Sequence, residues 1–159
     1  MKNGTQFRIS GLPIDLFNRY FGMSDTELAE HHAQRVVADS RPGYPCRVSL
    51  VDAEPGEALI LLPFLHHDVQ GPYRSSGPIY VRETAQEAQL EINEIPEVAK
   101  TRLMSVRAYS KNGLLQASAV AEREALVVLI REFLSDENIA YLHLHNAKPG
   151  CYSCRVDRA

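Results

Sequence analysis

Two of the six histidines and two of the three cysteines fall in one short stretch, Ile139 to Val156, reading IAYLHLHNAKPGCYSCRV. Three chemistries are open to these residue types at this spacing. A cysteine beside a histidine, Cys151 with His145, forms a thiolate–imidazole pair, because a cationic neighbour stabilises the thiolate that is the true nucleophile. Two histidines at alternate positions of a strand, His143 and His145, lie ~6–7 Å apart on one face, which lets both imidazoles reach one metal ion. Cys151-x-x-Cys154 has the spacing of a redox or zinc motif. The last is the poorest fit, since a redox pair of this kind opens a helix and Arg155 to Ala159 are too few residues to make one. Side chains three apart on a strand also face opposite ways.

The element that must position these groups is a hairpin. Alternation puts Ala140, Leu142 and Leu144 on one side of its first strand and Tyr141, His143 and His145 on the other. After a turn at Pro149-Gly150, Tyr152, Cys154 and Val156 continue the apolar side, and Cys151, Ser153 and Arg155 the polar one. Matching apolar with apolar predicts His145 opposite Cys151 across the loop Asn146 to Gly150. One polar face then carries His143, His145, Cys151 and Arg155. The bland alternative is a buried Cys154, a bystander Cys151 and histidines that are merely hydrogen-bonded.

With 159 residues, 45% hydrophobic and 23% charged, the composition is that of one α+β domain, residues 1–159, with room for a substantial core. A net charge of −3 gives no global basic field to draw in nucleic acid or a membrane surface. The longest apolar run, Ala58 to Leu65, is far short of a membrane span. Met1 to Gly11 lacks the apolar core of a leader, and the odd number of thiols suits a reducing compartment, so a cytoplasmic protein is expected. The chain has no P-loop, no G-x-S-x-G and no H-E-x-x-H.

Along the chain, Phe7 to Ser10 reads as a short strand. Pro13 opens a helix with Leu16, Phe17, Tyr20 and Phe21 as its stripe, and Gly22 stops it. Ser24 and Glu27 form a capping box for a second helix, at whose end stand His31 and His32. Arg35 to Asp39 and Cys46 to Val51 read as strands, the latter with Cys46, Val48 and Leu50 on one face. Ala58 to Leu65, apolar on both faces, reads as a central strand. His66 and His67 follow it and would point to opposite faces, so at most one is expected in a site. Gly71 to Pro78 is expected as a loop, Ile79 to Glu83 as a strand, and Pro96 to Lys100 as one helical turn. Asn112-Gly113 signals a two-residue hairpin turn that sets Met104, Val106 and Ala108 opposite Ala121, Ala119 and Ala117. Glu122 to Leu134 reads as an amphipathic helix. Hairpin signals dominate over crossovers, so the expected fold is α+β: one mainly antiparallel sheet of six or seven strands with two or three helices packed on one face.

PCRVSLVDAEPGE (Pro45 to Glu57), PYRSSGPIYVRE (Pro72 to Glu83) and LHLHNAKPGCYSCRVDRA (Leu142 to Ala159) carry a resemblance over nearly the whole chain. They resemble a bacterial domain-of-unknown-function family, number 1203. The family pattern includes residues at the positions of Cys46, Arg47, Arg82, His145, Asn146 and Cys151. Cys154 departs from it, which weakens a metal or redox role for the Cys-x-x-Cys spacing. The resemblance implies candidate positions without a mechanism.

Three functions follow from these observations. The first is a pocket that binds, and can process, a small anionic ligand: Cys46, Arg47, Arg82, Arg107 and Asn146 would contact it, with His145 exchanging protons and Cys151 as thiolate. The second is a metal-dependent enzyme or metal-binding module using His143, His145 and His66 or His67, with a divalent metal as its cofactor; no other cofactor is required by the sequence. The third is a non-catalytic interaction domain, a homodimer joined at a sheet edge.

Overall fold

Alternating and doubly apolar segments supply eight strands, but these close into two sheets rather than one. The computed structural model describes residues 4–159; Met1, Lys2 and Asn3, the start of the segment read for a leader, lie outside the described residues. The strands are β1 (Phe7–Ser10), β2 (Gln34–Val37), β3 (Ala58–His67), β4 (Ser75–Arg82), β5 (Met104–Tyr109), β6 (Leu115–Ala121), β7 (Tyr141–Asn146) and β8 (Tyr152–Arg158). The helices are α1 (Asn18–Phe21), preceded by a 3-10 turn at Ile14–Leu16, α2 (Asp25–Glu30), α3 (Glu97–Lys100) and α4 (Glu124–Leu134). A five-stranded sheet runs β1-β8-β7-β5-β6 and a three-stranded one β2-β3-β4, with every neighbour antiparallel.

The expectation of a single six- or seven-stranded sheet with helices on one face is therefore corrected to a mixed α+β fold with two sheets, each with its own cover. On the larger sheet, Leu126, Ile130 and Leu134 of α4 pack on Val106, Leu142, Leu144 and Val156. The smaller buries Ile60, Leu62, Ile79 and Val81 against Phe17 and Leu28 from the N-terminal helices. The Ser24–Glu27 capping box forms in full.

Three local expectations also change. Cys46 to Val51 is a tight turn: the Leu50 N–H donates to the Cys46 carbonyl at 3.0 Å, and Leu50 has φ +56°. Its apolar side chains divide between cores, Cys46 and Val48 joining the smaller sheet and Leu50 the larger, so no single strand face could have served them. Ser75 to Pro78 is strand, because β3 runs on to His67 and pairs with it. The β5–β6 register is as expected (Met104 opposite Ala121, Val106 opposite Ala119), but the turn is one residue longer. The Ser110 N–H donates to the Leu114 carbonyl, and Gly113 takes the left-handed position at φ +77°. A bulge at Gln116 then restores the pairing.

Candidate functional site

β7 is the middle strand of the larger sheet, and all six of its residues are buried. Its apolar side chains face α4, so alternation turns Tyr141, His143 and His145 to the opposite face. Neighbouring strands add to that face in register: Arg107 of β5 and Arg155 of β8 flank His143, Ser105 flanks His145, and Tyr109 flanks Tyr141. The end of β3 comes down onto this platform and delivers His66 and His67.

Two bulges assemble the cluster. Between β3 and β4, Leu65 pairs with Ser76 and His67 with Ser75, leaving His66 as the extra residue. On a regular strand the two histidines would diverge; the bulge turns both inward, correcting the expectation that at most one could join. The His66 ring lies 5.1 Å from that of His145 and 6.4 Å from that of His143, and the His67 ring 5.1 Å from that of His143. Between β7 and β8, Leu144 pairs with Cys154 and His145 with Tyr152, so Ser153 is extra. This corrects the predicted pairing of His145 with Cys151. It also turns Tyr152 from the apolar side to the histidine side. There it stacks on His66 at 5.3 Å and 7°, and stands edge-on to His143 and His145 at 5.0 and 5.7 Å. Cys154 stays in the core, where burial pushes its thiol up to about 12, so the Cys-x-x-Cys forms no redox pair.

His66, His143 and His145 each offer a ring nitrogen, and these three atoms lie within 4.8 Å of one another. Nδ1 of His66, Nδ1 of His143 and Nε2 of His145 are buried without a hydrogen-bond partner. A carbonyl can only accept, so the 3.0 Å contact of His145 Nδ1 with the Gly150 oxygen puts the proton on Nδ1 and leaves a lone pair on Nε2. Tetrahedral zinc with Zn–N bonds of ~2.0–2.1 Å needs nitrogens about 3.3 Å apart, inside the 4.8 Å within which the three ligand atoms lie. Burial first, then neighbouring positive charge, holds His66 and His145 down to about 4 and His143 lower still. All three rings are thus neutral at pH 7, the form that ligates a metal. His67 has no such freedom: its Nδ1–H donates to the Tyr73 carbonyl at 2.7 Å, and its Nε2 accepts from the Tyr141 hydroxyl at 2.6 Å.

A cavity of about 470 Å³ opens on this cluster, lined among others by His66, His145, Arg107, Ser75, Ser76 and Cys151. Arg107 contacts Ser105 Oγ at 3.4 Å, and among the described residues no carboxylate pairs with it. A second cavity, of about 520 Å³, shares Arg47, Tyr80, Pro149 and Cys151 with the first and adds Asn146.

Of the residues predicted from sequence, His66, His143, His145, Arg107, Arg47, Asn146 and Cys151 come to this region. Arg82 and Cys46 do not. Arg82 donates from Nε and a terminal nitrogen to Glu57 Oε1 at 3.1 and 2.5 Å, and to Ser49 Oγ at 3.3 Å. Cys46 is fully buried, and its sulfur accepts the Arg82 N–H. Glu57, the residue before β3, supplies the counter-charge that Arg82 would otherwise seek in a ligand. Sequence reasoning missed Tyr152, which only the bulge at Ser153 brings in, and placed Ser75 and Ser76 in a loop rather than in β4.

The fold and site define a two-sheet α+β protein with a three-histidine cluster on the polar face of its larger sheet. The chain belongs to the family described as protein of unknown function (DUF1203), whose model matches residues 43–158, a span that contains all the residues of the cluster. No curated protein and no solved structure matches the chain significantly. No helix among the described residues is long and apolar enough to cross a membrane.

Proposed function

We propose that this protein is a metal-dependent enzyme or metal-binding module in which His66, His143 and His145 hold one divalent ion, zinc by preference, and Arg107 holds a small anionic ligand beside it. The observation that carries the reading is the convergence of the three imidazoles, each with a buried ring nitrogen that no protein group satisfies. Leaving three buried acceptors or donors empty costs about 1–3 kcal/mol each; coordination answers part of that cost. An all-imidazole set suits zinc over magnesium or calcium, which take oxygen ligands. Three protein ligands also leave a fourth position open, the pattern of catalytic rather than structural zinc.

A bound metal of this kind acidifies water or polarises an anionic ligand. The chain's own groups do the rest. The Gly150 carbonyl fixes the His145 tautomer, Tyr152 packs the three rings in place, and the Arg107 guanidinium offers the cavity a charge with no carboxylate to neutralise it. In this reading His145 is a ligand, so its lone pair is committed to the metal rather than to proton exchange.

The test is metal stoichiometry. Untagged full chain, equilibrated with zinc and freed of unbound metal, should carry one zinc by elemental analysis. His143→Ala and His66→Ala, checked for folding by circular dichroism, should each lose most of it. Wild-type protein with only trace zinc, or folded variants that keep full stoichiometry, would sink the reading.

A further inference from the structure

Arg47 is 2% exposed, yet among the described residues no carboxylate pairs with it. A buried cation without an anion is costly, so what its guanidinium touches is informative. Nε donates to the Tyr152 carbonyl at 2.7 Å, one terminal nitrogen to the Pro45 carbonyl, and the other to Cys151 Sγ at 3.0 Å. Burial pulls the guanidinium below its ordinary range, and the Cys151 sulfur is the strongest opposing influence. Asn146 Nδ2 donates to the same sulfur at 3.3 Å. Cys151 is thus the one acceptor on Arg47 able to carry a full negative charge.

A second observation points to a ligand. Asn146 is 4% exposed, lines the larger cavity beside Cys151, and leaves its Oδ1 buried with no partner. An unfilled acceptor next to a sulfur that two donors hold calls for a small molecule that is electrophilic and carries an O–H. A hydroperoxide is both. Cys151 is half-buried and lines both cavities, so a small molecule reaches it, whereas Cys46 and Cys154 are fully buried in the two cores.

We propose that Cys151 is a peroxide-reactive thiol, with Arg47 and Asn146 as its positioning residues. The thiolate sulfur attacks one oxygen of a hydroperoxide; an S–O bond forms and the O–O bond breaks. Sulfur gives up two electrons and becomes a sulfenic acid. The departing oxygen, reduced to hydroxide or alkoxide, takes a proton from water. The Arg47 guanidinium and the Asn146 amide N–H hold the sulfur in place through the attack, and the Asn146 carboxamide oxygen accepts the peroxide O–H. Cys154, sealed in the core, offers no resolving partner, so two equivalents of an external thiol return the sulfur to the reduced state, releasing a disulfide and water. Cys151 also lines the cavity on the histidine cluster, but the proposal needs no metal and survives the failure of that reading.

The full chain, treated as purified with a slight excess of hydrogen peroxide in the presence of dimedone, should gain one adduct, mapped to Cys151. Asn146→Asp keeps the side-chain shape but sets a carboxylate against the sulfur, and should slow labelling roughly tenfold. Arg47→Met should slow it at least as much; if that variant does not fold, Asn146→Asp alone decides. An unlabelled Cys151 in folded protein, equal labelling of Cys46 or Cys154, or an unchanged rate in Asn146→Asp would each overturn the proposal.

Discussion

Acid is the perturbation that the histidine cluster feels first. An unfolded histidine titrates near ~6.5, whereas burial holds His145 to about 4 against the opposing pull of its Gly150 hydrogen bond. Between those values the folded chain binds fewer protons than the unfolded one, so stability is present above the unfolded value and is lost as pH falls through the folded one. Each unit is worth ~1.36 kcal/mol, so His145, 1% exposed, costs about 2 kcal/mol by about pH 5 and about 3 kcal/mol once fully charged. His143, 3% exposed and displaced further in the same direction, adds a similar amount by about pH 5, somewhat reduced because the two rings interact. His66 acts with the same sign but is half-buried, and solvent screening shrinks its share. Against a total of roughly 5–15 kcal/mol, the combined loss is large. Asp52 falls outside this window: burial alone would raise it, but Arg102 holds it below its ordinary 3.8. Urea unfolding followed by far-ultraviolet circular dichroism, in excess chelator between about pH 7 and 5, measures the decline. His145→Gln fills much of the same space and cannot charge, so its decline should be about 2 kcal/mol shallower. A flat wild-type profile, or an equal slope in His145→Gln, would refute the reasoning.

Two further outcomes are expected. Gly113→Ala places a Cβ 2.6 Å from Val69 Cγ1 on a residue with φ +77°, and should cost at least about 1 kcal/mol in the same urea assay; a neutral result would mean that the β5–β6 turn relaxes. Arg107→Gln should keep the zinc stoichiometry while weakening inorganic phosphate binding roughly tenfold by calorimetry, as expected for loss of a charge-assisted contact; unchanged phosphate binding would remove Arg107 from the anion site.

Much of the architecture was legible because it is local. The Ser24–Glu27 cap, the β5–β6 register and the stripe of α4 rest on neighbours in sequence. So does the pairing of histidines on one face of β7, which period-two alternation dictates. The division into two sheets was not legible, since it depends on which strands meet across long separations, and β3 could have taken partners in either sheet. Nor was the bulge at Ser153, where no composition signal marks the extra residue. Leu50 shows the same limit: a bulky residue in the left-handed region is held there by the two cores that its turn joins.

The bulge at Ser153 also bears on how such a site tolerates a change in chain length. With Cys154 held on the core side, deleting Ser153 would bring the tyrosine next to it and set it opposite His145 in an unbroken ladder, so the ring would keep its side. Straightening the ribbon with the residue still present would instead swing the ring to the greasy side. A lineage could therefore lose that one codon without surrendering the centre, and chains of this family one residue shorter at this point are expected to retain the tyrosine.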